Sequence, residues 1–347
     1  MERKKIIGKS IAFSIKIMHN RSGCVNWKIR EGVKGLADLI RMDSYPVQTT
    51  LKILLQDKST KRNIIWATDS YASFGESYTD KSQMTENQLT KINGSVIQPR
   101  ILKDIKQQTH RTRKNAEVFT PAWICNKMNN FCDEEWFGYQ DVFNRQKEQE
   151  WIPTENRIEF PKRKNRNWKD YVDSRRLEIT CGEAPYLVSR YDASTGEMIE
   201  INKRIGILDR KLRIVNENVK DEQEWMEWVI RAFQSVYGYE YQGDNVLIAR
   251  INLLMTFVDY LNDQWNRQPD KQELRKVANI ISWNIWQMDG LKGTVPMGVL
   301  KEEYHQMSLF EPVEESEDDE EKSEVRCRIY DWRSGNSVLY AELEKER

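Results

Sequence analysis

The residues YGYE at 237–240 have strand character, and only YQG separates them from DNVLIARINLLMTFVDYLNDQW at 244–265, which reads as a long helix. A strand that turns directly into such a helix needs a sheet face for the helix to cover, which points to an α/β architecture. The surrounding sequence repeats the pattern. RLEITCGEAPYL at 176–187 is a strand running into a glycine turn. DEQEWMEWVIRAFQSVYG at 221–238 is a helix whose Trp225, Trp228, Val229, Ala232 and Phe233 share one face. QELRKVANIISWNIWQMDGL at 272–291 carries a helix into a short strand that ends at Asp289, and VRCRIYDWRS at 325–334 returns to strand character. TPAWICNKMNNFCDEEWFG at 120–138 is a further helix, which Thr120 can cap and whose first turn suits Pro121. Helices alternating with short strands predict an α/β sheet across 115–347.

The N-terminal part reads differently. IAFSIKI at 11–17 alternates as a strand does, EGVKGLADLIRM at 31–42 is a short amphipathic helix, and TLKILLQD (50–57) and NIIWATDSY (63–71) suit strands or short helices. Residues 72–97 are rich in Ser, Thr, Asn, Gln and Gly and mark a boundary. The expectation is a small basic α+β domain over 1–95, followed by a larger domain over 96–347.

Formal charge sums to zero over 347 residues, yet residues 1–120 hold 22 Lys and Arg against 11 Asp and Glu. Glu311 to Glu324 holds nine acids and one lysine and reads as a disordered acidic loop. The basic third suits a polyanion or is simply a solvated surface. PRILKDIKQQTHRTRK at 99–114 has both readings as well, with Arg111, Arg113 and Lys114 as candidate nucleic-acid contacts. The five cysteines (24, 125, 132, 181, 327) form no CxxC pair, so they predict reduced thiols and no metal site. No apolar run approaches a membrane span and no signal peptide opens the chain, so the expectation is a soluble, cytoplasmic protein.

Four features then fall in order: FTP at 119–121, LEITCGEAPYL at 177–187, YGYE at 237–240 and NIWQMDGL at 284–291. Each has a use in holding a nucleoside at the carboxyl ends of strands. A glycine turn lets backbone approach a ligand, an acid at a second strand end accepts ribose hydroxyls, and a third acid accepts from an exocyclic amine. In this order they resemble the amino-methylating (adenine-N6) DNA methyltransferases of the restriction–modification M-subunit type, over about residues 99–340. The resemblance implies a Rossmann-like sheet binding S-adenosylmethionine. Phe119, Thr120 and Pro121 would face that cofactor. Glu178, Cys181 and Gly182 match the glycine motif, with Ala184 in place of its second glycine and Tyr186 in the aromatic place. Glu240 matches the ribose-binding acid and Asp289 the acid that contacts adenine.

The chain departs from the family where transfer occurs. The family's transfer motif of Asn or Asp, two prolines and an aromatic is missing, since no Asn-Pro-Pro or Asp-Pro-Pro occurs, and the nearest substitute in sequence order is IYDW at 329–332. There Asp331 would accept an amine hydrogen and Trp332 would stack on a flipped base. About 15 residues follow, too few to complete a methyltransferase sheet. Three readings stand: a DNA adenine methyltransferase with an unusual site, a methyltransferase-derived subunit that binds cofactor or DNA and needs a partner chain in a restriction or phage-defence system, and an interaction module whose pattern is only ancestral.

Overall fold

The computed structural model describes residues 40–90, 96–115, 117–299 and 324–345. The expected strand at 11–17, the helix at 31–42 up to residue 39 and the acidic loop at 311–323 lie outside the described residues. The first helices are α1 (Val47–Leu54), α2 (Glu86–Thr90) and α3 (Ile105–Asn115), so the segment that suited a strand or short helix at 50–57 is helical through Leu54. Residues 63–71 form neither element and pair only through isolated bridges, Asn63 with Gln56 and Ile65 with Gln83.

Helix α4 (Ala122–Phe137) begins after Pro121, which occupies the cap position. Thr120 does not cap it. The first helical N–H, from Ala122, instead donates to Asp192 Oδ2 at 2.9 Å, a partner 70 residues on. A hairpin of β1 (Asn144–Lys147) and β2 (Glu150–Pro153) follows, then α5 (Trp168–Val172), closed by a capping box between Asn167 and Asp170.

The central sheet has three parallel strands, β3 (Arg176–Glu178), β4 (Val236–Glu240) and β5 (Ile285–Gln287), in the order β3-β4-β5. Helices α6 (Ile207–Asn218) and α7 (Glu222–Gln234) connect β3 to β4, while α8 (Gly243–Trp265) and α9 (Lys271–Asn284) connect β4 to β5. Both crossovers step the same way across the sheet, so right-handed connections put all four helices on one face. Val236 and Ile285 point into that helical core. Helix α7 stops at Gln234, earlier than periodicity suggests, because Asn284 Nδ2 bonds the Phe233 and Val236 carbonyls at 2.9 Å and the chain has already turned into β4.

The opposite face carries Tyr237, Tyr239 and Trp286, as the two-residue alternation of a strand requires. It is covered by the C-terminal elements β6 (Thr294–Val299), β7 (Glu324–Arg326), β8 (Arg328–Asp331), β9 (Asn336–Leu339) and α10 (Tyr340–Lys345), through Val295, Cys327, Ile329 and Tyr340. Strands β6–β7 and β8–β9 pair as antiparallel ribbons and do not extend the central sheet. The architecture is therefore mixed α/β, with a short parallel sheet and small satellite ribbons.

The expected boundary near residue 95 does not divide two cores. Ile40, Met42, Val47, Leu51 and Leu54 belong to the same buried cluster as Leu247, Ile251 and Val277. Arg250 of α8, fully buried, ties the regions together. Its Nε donates to Ile285 O at 2.8 Å, Nη1 to Leu54 O at 2.5 Å and Gln56 O at 2.9 Å, and Nη2 to Ser282 O at 3.2 Å. Close approach adds to this: a Cβ on Gly243 would stand 2.0 Å from the Ile65 carbonyl oxygen, and Gly243 N–H donates to Trp66 O at 2.9 Å.

Candidate cofactor site at the carboxyl ends of the parallel strands

Beyond β3 the chain makes a tight turn with positive φ at Thr180 (47°), Gly182 (53°) and Ala184 (64°). Only one of the three is glycine. Ala184 therefore holds a left-handed conformation at a cost of about 1 kcal/mol, in the place where the resembled family has its second glycine. The turn keeps its shape because other groups over-determine it. Glu178 folds back and accepts from the Tyr186 and Leu187 N–H groups at 3.4 and 3.2 Å. Burial pushes its carboxyl well above the usual range. Cys181 N–H donates to Tyr239 O at 2.8 Å, and its sulfur packs where a Cβ on Gly238 would lie 3.2 Å away. Burial raises the Cys181 thiol strongly, so it acts as packing rather than as a nucleophile.

Glu240, at the end of β4, meets this turn. Its Oε2 accepts from Gly182 N–H at 2.9 Å and its Oε1 from Gln242 N–H at 3.2 Å. Phe119 closes the turn from above: its ring lies 3.6 Å from the position of a Cβ on Gly182, and the Arg100 guanidinium sits 5.3 Å from the ring centroid. Thr120 and Cys125 flank the Tyr186 hydroxyl. Phe119, Thr120, Gly182 and Glu240, spread over some 120 residues of chain, thus converge at the carboxyl ends of β3 and β4. Asp289 stands just past β5. Its Oδ1 accepts from Leu291 N–H at 3.0 Å and Lys292 N–H at 3.3 Å, and Oδ2 has no hydrogen bond among the described residues.

Asp331 and Trp332 are elsewhere. Asp331 pairs at 2.7 Å with Arg175, the residue before β3, and Trp332 Nε1 donates to Asn284 Oδ1 at 2.8 Å, just before β5. Both therefore lie at the amino ends of the strands, the opposite end from Gly182 and Glu240. Burial pushes the Asp331 carboxyl up, but the Arg333 N–H and the Arg175 charge hold it below its ordinary value. These two residues form a structural clasp, and the expectation that they act on a base beside the cofactor is corrected.

The basic candidates separate in the same way. Arg111 is 1% exposed and faces inward, donating to Glu117 at 2.6 and 3.0 Å and to Asp244 at 3.0 Å. It is not a phosphate contact. Lys114 is paired with Asp69, whereas Arg113 is exposed on α3. Asp244, in the first turn of α8, also accepts from Lys103 Nζ at 2.9 Å and Tyr71 Oη at 2.8 Å. Burial works against its charge, but Arg111 and Lys103 outweigh that and hold the carboxyl well below the usual range. The YQGDN stretch gives no hint of this network, because its cations arrive from segments more than 130 residues earlier.

Glu183, in the turn itself, was also not singled out by sequence. It accepts from Arg100 N–H at 2.7 Å and Tyr191 Oη at 2.6 Å, while Asn252 holds the Glu183 carbonyl at 3.1 Å. Burial pushes its carboxyl up to about 7. A raised folded value means that the protonated acid favours the fold. That contribution is complete below the ordinary carboxyl value of about 4.5 and is lost as pH rises through about 7. Wild type is therefore expected to lose up to about 3 kcal/mol from this group between those limits. Glu183→Gln should flatten that part of a urea-denaturation pH profile; a profile of unchanged shape would reject the assignment.

Among the described residues no helix is long and apolar enough to cross a membrane, and no group of three or more His, Cys, Asp or Glu residues is placed to hold a metal ion. No protein-family model matches the chain, and no curated protein or solved structure matches it either.

Proposed function

We propose that the carboxyl end of the β3–β4–β5 sheet binds S-adenosylmethionine. On this reading the chain is an adenine-N6 DNA methyltransferase-like protein of Rossmann type, acting in the cytoplasm within a restriction–modification or phage-defence system. The observation that carries it is the meeting of Phe119, Gly182 and Glu240 at the carboxyl ends of β3 and β4, where open α/β sheets hold nucleotides, with Asp289 following β5 at the same end of the sheet. The residues suit the group in chemistry. Phe119 offers a ring, the Gly182 turn a close backbone and Asp289 Oδ2 an acceptor for an exocyclic amine. Glu240 already accepts from the backbone N–H groups of Gly182, Gln242 and Tyr241, so ribose hydroxyls would share a carboxylate that braces the turn. The cofactor supplies an electrophilic methyl group; this chain's residues bind and orient it.

The position of Asp331 and Trp332 at the far end of the sheet favours one form of the reading, a methyltransferase-derived subunit that receives its transfer residues from a partner chain. Titration calorimetry on the full chain tests the cofactor part. S-adenosylmethionine should bind wild type, Phe119→Ala and Asp289→Ala should each weaken it by roughly tenfold, about 1.4 kcal/mol, and Asp331→Ala should leave it unchanged. Absence of binding by wild type rejects the site, and weakening by Asp331→Ala rejects its placement.

A further inference from the structure

Running from the β2–α5 connection into the first turn of α5, the sequence KRKNRNWK at 162–169 places five cations within eight residues, without a carboxylate among them. Lys162, Arg163, Lys164 and Lys169 are exposed and Arg166 is half-buried. No ion pair joins Lys162, Arg163, Lys164 or Arg166 to a carboxylate among the described residues, and Lys169 reaches only Glu224, at 4.0 Å. Asp170, the nearest acid in sequence, is occupied at the Asn167 N–H, where it completes the cap of α5. Helix α3, the basic segment that sequence singles out, is the weaker patch by comparison, since Arg111 is buried and Lys114 is neutralised by Asp69.

The cations of this loop are also held in place. The Arg166 guanidinium lies 4.8 Å from the ring centroid of Trp136, which is wedged edge-on against Tyr171 at 5.0 Å and Phe160 at 6.3 Å. Lys169 Nζ lies 5.2 Å from Trp168 and 5.1 Å from Trp228, two rings that meet at 4.7 Å. Cation–π contact fixes a charge without consuming its hydrogen-bond donors. Long side chains that are already ordered lose less freedom when they meet an anion. The loop is therefore a positively charged surface that is neither neutralised nor floppy at two of its five positions.

We propose that residues 162–169 bind the phosphodiester backbone of nucleic acid. A row of unpaired lysines and arginines complements closely spaced phosphates and reads no base sequence. The rings under Arg166 and Lys169 are covered by their cations, so they act as mounts and not as platforms for bases. The inference does not rest on the cofactor reading, because the loop would carry the same charge in a chain that binds no S-adenosylmethionine.

Fluorescence anisotropy with a short labelled DNA duplex and the full chain, without cofactor, tests it. About four phosphate contacts give a slope near −3.6 for log affinity against log salt, so binding should weaken roughly a hundredfold between 50 and 200 mM salt. Lys162→Ser combined with Arg163→Ser and Lys164→Ser should weaken binding at least roughly tenfold and flatten the slope, with an unchanged thermal melt because all three side chains are exposed. Lys106→Ser with Arg113→Ser on α3 should do less. No binding by wild type, unchanged affinity in the normally melting loop variant, a larger loss from the α3 variant, or preference for anionic lipid vesicles over DNA would each overturn the proposal.

Discussion

Asp244→Ala is expected to lower the stability of the fold by about 3–5 kcal/mol, the usual consequence of removing one partner from a buried charge cluster. Asp244 is fully buried and takes Lys103 and Arg111, which are themselves buried, together with the Tyr71 hydroxyl. Without it, two cations and a phenol face Glu117 alone, and Glu117 already accepts twice from Arg111 and once from Asn245 at 3.0 Å. The first turn of α8 also loses a carboxylate that complements its helix dipole. The pH dependence has a definite sign. Because the folded carboxyl lies below its ordinary value, its contribution is present above about 4 and fades only as pH falls below that. Urea denaturation of wild type and variant should therefore give parallel curves from neutral pH to about 5, converging in stronger acid. A constant difference down to the lowest accessible pH, or a loss below about 1 kcal/mol, would remove the cluster as a principal stabilising element.

Arg250→Ala should be comparably costly, about 4 kcal/mol. Its guanidinium serves four carbonyls from three separate regions: Leu54 at the end of α1 with Gln56 just beyond it, Ser282 in α9 and Ile285 in β5. Arg250 is fully buried, so truncation leaves carbonyls with unmet hydrogen-bonding capacity as well as a cavity. A lysine brings one compact ammonium in place of a planar fork and should recover only a minor share of the loss. Chemical denaturation midpoints measure both variants. Full rescue by Arg250→Lys would show that charge alone, and not the fork, matters there.

The elements that sequence makes legible are those governed by near neighbours. Asp221 caps α7 through the Glu224 N–H, and Asp270 with Glu273 closes α9 in a capping box, interactions that span three residues and are written in the local order of the chain. The alternation of strand and helix from Arg175 onward is equally local. The glycine turn is legible too, although its left-handed geometry at Ala184 is not, because alanine gives no sign of a positive φ.

Other assignments depended on distant partners. RTRK at 111–114 presents four consecutive polar residues, and nothing nearby indicates that Arg111 turns inward while Arg113 stays in water. The reason lies at Asp244. IYDW has the sequence order of a transfer motif, yet β8 pairs with β9 and clasps Arg175 at the amino end of the sheet. The polar stretch at 72–97 reads as a boundary, but its Tyr78 packs at 5.4 Å against Trp66 in the shared core.

The sequence by itself determined that this chain alternates strands and helices around a glycine turn, and that Glu240 ends its second strand, whereas the third stops at Gln287, two residues before Asp289. Those properties follow from backbone periodicity and capping, which act over a few residues. Only the tertiary structure decided which charged groups are buried partners and which remain free, and at which end of the sheet each motif sits. Both depend on contacts between residues far apart in the chain, where burial sets the energetic weight of a charge and topology sets its neighbours.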